Sequence, residues 1–304
     1  INGLSVALAR LSLWLISASN DKALSFIDHH LKEGNSIIGT DRKHVEVKDS
    51  KYPMFGVSYD DYMKPVLTKY EELRKIGSAT KTDVSKQKEI YDEINEDLKI
   101  AKKKYDYYLA SQYAGGIDDQ ITYVNLLRSS DIRDFQDKDM ESLWALAREK
   151  KFFHWELEFP EVFQNGGFDI TIGNPPYVEV PQYDYKYSVE KTIETKNLYS
   201  YMMEVSINNI KDKGFFGYII PLSAMYTPRM KPLQDYLLKT FELFISNYGI
   251  RPAKIFKNAE QRVSIVIGRI SNCKESNKIY TTKYNRWYTS ERKHLFNNLK
   301  YVEH

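Results

Sequence analysis

Asn174-Pro175-Pro176-Tyr177 is the stretch of this sequence whose residue types could do chemistry together. Two consecutive prolines fix φ and remove two N–H donors, so the carbonyls of Asn174 and Pro175 are held as acceptors with little freedom. The Asn174 side-chain oxygen is a further acceptor beside the Pro175 carbonyl. An amino group conjugated to a ring is a poor nucleophile because its lone pair is delocalised. Acceptors gripping both of its hydrogens favour a pyramidal nitrogen whose lone pair is free to attack, and Tyr177 offers an aromatic face for the ring. That constellation suits methylation of an exocyclic amine. A Pro-Pro pair after a strand also makes a plain rigid turn; the complete tetrapeptide in its strand context favours the chemical reading.

The elements that must position it follow from periodicity. Residues 168–172 read as a strand with Gly173 as a hinge, and in open α/β sheets ligands bind beyond the carboxyl ends of strands. Residues 198–210 read as helix, 215–220 as a strand closed by Pro221, 231–244 as helix and 263–267 as a further strand. Strands spaced by helices predict an α/β class built on a Rossmann-like, mostly parallel sheet. Upstream, Leu4, Leu8, Leu11 and Leu15 recur at helical spacing, with an end expected near residues 17–20. The apolar pair Ile37 and Ile38, bracketed by Gly34 and Gly39, reads as a short buried strand and its exit turn.

From about residue 60 to 150 the texture becomes Lys-, Glu-, Asp- and Tyr-rich, with Ile90, Ile94, Leu98 and Tyr105 in helical rhythm. This predicts a long helical insert, a hairpin, whose alternating charges read as a solvated face, with DNA backbone or partner contact as the other reading. Asp97-Leu98-Lys99 imitates half of a nuclease signature but falls in mid-helix, where such sites do not sit. The expected division is 1–59 first part of the core, 60–150 insert, 151–270 core with the tetrapeptide, and 271–304 the start of a C-terminal region.

Composition sets wider bounds. The chain has 304 residues, 44 Lys+Arg against 41 Asp+Glu, and 24 tyrosines. Its 42% hydrophobic and 28% charged content excludes a disordered or collagen-like chain. The lone Cys273 excludes a disulfide framework and a cysteine zinc cluster. His29 and His30 are adjacent, a poor spacing for a shared metal, so no metal is expected. No run reaches the ~20 apolar residues of a membrane helix. The expectation is a soluble protein of the cytoplasm with no membrane partner.

The segment Asp169-Ile170-Thr171-Ile172-Gly173-Asn174-Pro175-Pro176-Tyr177 resembles the catalytic motif of amino-group methyltransferases that use S-adenosylmethionine, chiefly adenine-N6 DNA methyltransferases. Trp155-Glu156-Leu157-Glu158-Phe159-Pro160-Glu161-Val162-Phe163 and Leu24-Ser25-Phe26-Ile27-Asp28-His29-His30-Leu31-Lys32-Glu33-Gly34-Asn35-Ser36 narrow the resemblance to large bacterial modification subunits and fused restriction–modification enzymes. It implies that Asn174 and Pro175 accept the adenine N6 hydrogens, that Pro176 belongs to the same catalytic motif and, with Asn174, to the cofactor contacts, and that Tyr177 stacks on a flipped base. It also implies that Phe256, in Lys254-Ile255-Phe256-Lys257-Asn258-Ala259-Glu260-Gln261-Arg262, is the second aromatic wall. The other reading of Phe256 is a core aromatic of a loop; its flanking Lys254, Lys257 and Arg262 favour exposure near phosphate and so the site reading. Asn35, Ser36, Met202 and Ile1 occupy the places of further cofactor contacts, although Met202 also fits an ordinary core methionine. The implied partners are double-stranded DNA with a flipped adenine and restriction or specificity subunits or domains.

The sequence departs from that pattern at its start, where no glycine-rich loop follows a strand. The resulting expectation is a methyltransferase core lacking its first strands, with exposed sheet edges and weak cofactor binding by this chain alone. Two other readings stay open: methylation of a glutamine side chain in a protein, and a non-catalytic DNA-recognition or assembly module.

Overall fold

The computed structural model describes residues 3–17, 28–45, 59–77, 80–114, 138–256, 258–270 and 278–304. The chain divides into two compact units, Ile1–Gln164 and Asn165–His304. Residues 18–27, which begin the Leu24 segment, and residues 271–277, which open the C-terminal region, lie outside the described residues.

In the first unit, α1 (Gly3–Ser17) is followed by α2 (Tyr59–Lys75), α3 (Lys81–Tyr113) and α4 (Lys138–Lys150). The start of α3 is set by a capping box: Thr80 Oγ1 accepts from the Asp83 amide at 3.1 Å and Asp83 Oδ2 accepts from the Thr80 amide at 2.9 Å, which satisfies two donors that the first turn leaves open. Ile90, Ile94, Leu98, Ala101 and Tyr105 then fall on one stripe of α3 and bury against Met63, Val66, Tyr70 and Leu73 of α2. The helical rhythm expected of residues 60–150 is therefore a packed antiparallel pair, with α4 joined to α3 by Trp144 Nε1 donating to the Lys103 carbonyl at 3.1 Å. Asp97 lies on the outer edge of that pair and bonds Lys69 at 2.9 Å, while Leu98 is buried. That local packing accounts for the Asp97-Leu98-Lys99 imitation.

Beneath the helices, Glu158 pairs with Lys102 at 2.7 Å and Lys32 at 3.5 Å. Burial alone would raise its carboxyl, but the two cations hold it below the usual carboxylate range. The buried segment at Ile37 and Ile38 is a turn and not the expected strand. Its amides are spent locally, with Ile38 N donating to the Asn35 carbonyl at 2.9 Å and Ile37 N to Asn35 Oδ1 at 3.4 Å, so no sheet ladder can form there. His29 and His30 form a single 3-10 turn with Asp28, their rings 3.7 Å apart.

The second unit is a six-stranded sheet with order β1-β2-β4-β3-β5-β6. Its strands are β1 (Phe168–Gly173), β2 (Ile210–Pro221), β3 (Phe241–Tyr248), β4 (Val263–Ile270), β5 (Ile279–Thr281) and β6 (Val302–Glu303). β1 pairs parallel with β2, and β3 with β5, while β4 and β6 run against their neighbours. Four strands thus share one direction, the mostly parallel α/β sheet that the spacing of elements predicted. α5 (Leu198–Asn208) and α6 (Lys231–Thr240) cover one face, where Tyr199, Met203, Leu233 and Leu237 pack on Phe216, Tyr218, Leu243 and Val266. Gly268 sits opposite Phe216, and a Cβ there would fall 2.1 Å from the ring. On β1, which forms one edge of this sheet, Ile170 and Ile172 are exposed.

The helix expected over 231–244 ends at Thr240, and residues 241–248 form β3, which the periodicity missed. Leu233, Tyr236, Leu237, Phe241 and Phe244 fit a helical stripe, yet Phe241, Leu243 and Ile245 also alternate. Pairing of all eight residues of β3 with β4 decides between the two patterns. Ile279 to Thr281 extend the same sheet beside β3.

The loop between β1 and α5 depends on a buried acid. Glu204 on α5 is 2% exposed. It accepts from the amides of Glu190 and Lys191 at 3.0 Å each, the Thr192 amide at 2.7 Å and the Thr192 hydroxyl at 2.8 Å. Glu204→Ala leaves the Thr192 amide and hydroxyl buried without a partner, takes the acceptor from the part-buried amides of Glu190 and Lys191, and is expected to cost about 3 kcal/mol of stability; denaturant unfolding checks this, and a loss under about 1 kcal/mol would refute the role given to Glu204.

Candidate active site

β1 ends against β2 with Gly173 opposite Tyr218. A Cβ on residue 173 would lie 2.8 Å from the Tyr218 ring, so the close approach of strand end and ring depends on the missing side chain. The chain then leaves the sheet through the tetrapeptide. Asn174 and Pro176 are exposed, Pro175 is buried and Tyr177 is half-buried.

The Tyr177 hydroxyl stands 2.9 Å from Asn174 Oδ1 and 3.0 Å from the Ile219 carbonyl. It has one proton, so it donates to one of these acceptors at a time. Its ring meets Tyr199 edge-on at 6.2 Å. Burial pushes the hydroxyl up to about 12, which keeps it protonated, and a donor, at neutral pH. Beyond it, Leu198 N donates to the Val178 carbonyl at 2.9 Å and Val180 N to the Lys196 carbonyl at 3.0 Å. The tetrapeptide is therefore tied to the start of α5, and Glu179 makes an ion pair with Arg229.

Because β1, β2 and β3 share a direction, the segments that follow them leave the sheet at one end. These are the tetrapeptide, the turn Leu222–Met225, and the loop 249–262 that carries Phe256. Leu222 N donates to the Arg262 carbonyl at 2.9 Å, closing the second against the third. Between them lies a small cavity of about 280 Å³ lined by Ser223, Tyr226, Ile250, Gln261 and Arg262. Phe256 is half-buried, so it is not a core aromatic. Arg292 fixes its loop from outside, donating to the carbonyls of Ile255 at 2.7 Å and Lys254 at 3.3 Å. Of the cations flanking Phe256, Lys254 is engaged by Glu260 at 3.0 Å, Arg262 is exposed, and Lys257 lies outside the described residues.

The other sequence-derived positions are spread more widely. Met202 is half-buried on the first turns of α5, whereas its neighbour Met203 is the one in the core. Asn35 and Ser36 are half-buried in the first unit, in the turn described above. Ile1 lies outside the described residues. Sequence reasoning missed Tyr226, an exposed aromatic at the cavity, and Glu204, although Glu204 is the one charged residue in the helix Leu198–Asn208 and an isolated charge among apolar residues is a legible signal. The second unit thus offers an exposed amide oxygen, a proline-stiffened backbone and aromatic rings at the carboxyl ends of parallel strands. That set can hold a planar ring by its faces and an amino group by its hydrogens.

Comparison with known proteins bears on most of the chain. RM.Eco57I of Escherichia coli, named as a type II restriction enzyme and methyltransferase, is 24% identical over 144 residues, covering 44% of this chain and 14% of that protein. RM.MjaORFECS2P of Methanocaldococcus jannaschii, named likewise, is 33% identical over 75 residues, covering 24% of this chain and 6% of that protein. The alignments therefore span a small part of the length of either relative. A DrdV–DNA complex is 14% identical with a TM-score of 0.38, covering 53% of this chain and 19% of that one. The Eco57I restriction-modification methylase family matches residues 1–256, which is most of the sequence, and the chain belongs to that family.

Proposed function

We propose that this chain is the methyltransferase part of a restriction-modification enzyme and that it methylates the N6 amino group of adenine in double-stranded DNA. The observation that carries the reading is the tetrapeptide at the carboxyl end of β1, with Asn174 exposed beside a buried Pro175 and a hydroxyl-anchored Tyr177. Its membership of the Eco57I restriction-modification methylase family supports the same reading. Partners would be duplex DNA and restriction or specificity subunits or domains.

In this mechanism Asn174 Oδ1 and the Pro175 carbonyl accept the two N6 hydrogens. Tyr177 donates to one lone pair of Asn174 Oδ1, and an amide oxygen has a second for the substrate. Localising the nitrogen lone pair makes N6 the nucleophile. When bound, S-adenosylmethionine would supply the electrophilic methyl group for N6; Asn174 Oδ1 and the Pro175 carbonyl hold the N6 hydrogens, and the proton that N6 loses on methylation passes to solvent water. Pro176 stiffens the backbone behind the acceptors. Tyr177 and Phe256 cover the two faces of the extruded base, which needs both once it leaves the stack. The cofactor contacts that the resemblance implies fall within each unit by itself, Ile1, Asn35 and Ser36 in the first and Asn174, Pro176 and Met202 in the second; Asn35 keeps Oδ1 on the Ile37 amide, which leaves its NH2 to donate.

Three outcomes test the reading. Asn174→Ala in the full gene product is expected to lower methyl transfer about a hundredfold or more, as loss of a site-forming hydrogen-bonding group does, while DNA binding in a mobility-shift assay stays near wild type; unchanged turnover refutes the assignment. Phe256→Ala removes a stacking surface worth ~1–3 kcal/mol, so affinity for duplex with an unpaired target adenine should drop about tenfold, and an equal affinity rejects Phe256 as a wall. The described residues contain no glycine-rich loop after a strand, and calorimetric titration of the 304-residue chain is expected to show S-adenosylmethionine binding weaker than micromolar. In the transfer assay, protein acceptors in place of DNA discriminate the glutamine reading, and DNA binding without transfer discriminates the non-catalytic one.

A further inference from the structure

The turn at Asn35 and Ser36 is bonded along its length to residues 151–156. Asn35 N donates to the Lys151 carbonyl at 2.7 Å, and Phe153 N to the Ile38 carbonyl at 2.8 Å. Trp155 Nε1 donates to the Ser36 carbonyl at 2.9 Å, and Arg42 N to Glu156 Oε2 at 2.8 Å. The two segments touch without slack: a Cβ on Gly39 would fall 2.1 Å from the Phe153 carbonyl oxygen, and one on Gly34 would fall 2.5 Å from the Phe153 ring.

One member of this ladder also reaches the helical hairpin. The Thr40 amide donates to His154 Nδ1 at 3.1 Å. Nδ1 is therefore an acceptor, the ring proton sits on Nε2, and Nε2 donates to Asp106 Oδ1 of α3 at 3.1 Å. His154 is 3% exposed and is gripped edge-on by Tyr105, the neighbour of Asp106, at 5.3 Å. A neutral imidazole with both nitrogens committed has one permitted tautomer and one orientation. Any displacement of α3 at Asp106 is passed through the ring to the backbone at Thr40, and from there to the turn.

We infer that Asp106 and His154 are positioning residues through which the helical hairpin sets the Asn35 and Ser36 turn, and with it the affinity for S-adenosylmethionine. The link to the cofactor rests on the reading proposed above; the link from hairpin to turn rests on the bonds alone. The hairpin thereby gains a task beyond packing.

The test uses the full gene product with Asp106→Leu, Asp106→Asn and His154→Asn. Asparagine at 106 keeps an oxygen for Nε2, whereas asparagine at 154 keeps an acceptor for the Thr40 amide but cannot reach Asp106. Expected are a KM for S-adenosylmethionine about tenfold higher in Asp106→Leu and His154→Asn, the effect of losing a charge-assisted hydrogen bond. kcat should stay within about twofold of wild type, KM should return toward wild type in Asp106→Asn, and hydrogen exchange at the Ile38 and Thr40 amides should be faster in the first two variants. An unchanged KM with unchanged exchange in Asp106→Leu or His154→Asn overturns the inference, as does a fall in kcat at constant KM. If Asp106→Leu fails to fold, the contrast between Asp106→Asn and His154→Asn decides. If wild type transfers no methyl group to DNA, the functional reading fails by that result, and exchange at Thr40 still decides whether the hairpin holds the turn.

Discussion

Everything at the candidate site depends on the parallel pairing of β1 with β2 and on the shared direction of β3. Parallel strands deliver their carboxyl ends to one side of a sheet, and long connections must return the chain each time. The tetrapeptide, the Leu222–Met225 turn and the Phe256 loop leave the sheet at the same end for that reason, although they lie far apart in sequence. The close approach of Gly173 to the Tyr218 ring completes the constraint at the strand end, where a side chain on residue 173 would meet that ring.

The second unit supports this geometry with buried polar bonds. Glu204 spends both carboxylate oxygens on the loop at residues 190–192, and Tyr201 donates to the Ile193 carbonyl at 2.7 Å. A buried acid with its lone pairs satisfied is costly to disturb, because the buried Thr192 amide and hydroxyl that it holds have no water to turn to. The loop between β1 and α5 is long, and these bonds order it together with the buried Val189 and the Tyr185 ring packed on Tyr201. Arg292 does a similar service from outside for the Phe256 loop.

The first unit works differently. Its helices are held by an apolar stripe and by ion pairs at the margin, Lys69 with Glu93 and Asp97 among them. Such exposed pairs add little stability, and the core of Ile94, Leu98 and Val66 contributes far more. The half-buried Lys32 and Glu158 and the buried His154 instead join helices to the segments 28–45 and 151–158.

Much was legible in the sequence where one local rule sufficed. The tetrapeptide could be singled out as a candidate because prolines act on their own backbone and Asn and Tyr carry their groups wherever they stand. The stripe of Ile90, Ile94, Leu98 and Tyr105 announced a packed helix because a period of nearly four needs no partner to be recognised. What a residue pairs with was not legible when the partner is distant. Residues 241–244 fit helix and strand alike until β4 claimed them as β3. Ile37 and Ile38 looked like a strand until Asn35 took their amides. Glu204, Arg292 and the relay from Asp106 through His154 to Thr40 involve separations from 12 to 114 residues or join loops with no periodic pattern. Sequence by itself determined which groups could react and which stretches wanted a buried face; the tertiary structure alone decided which of them meet, because hydrogen-bond partners are chosen by distance in space and leave no period along the chain.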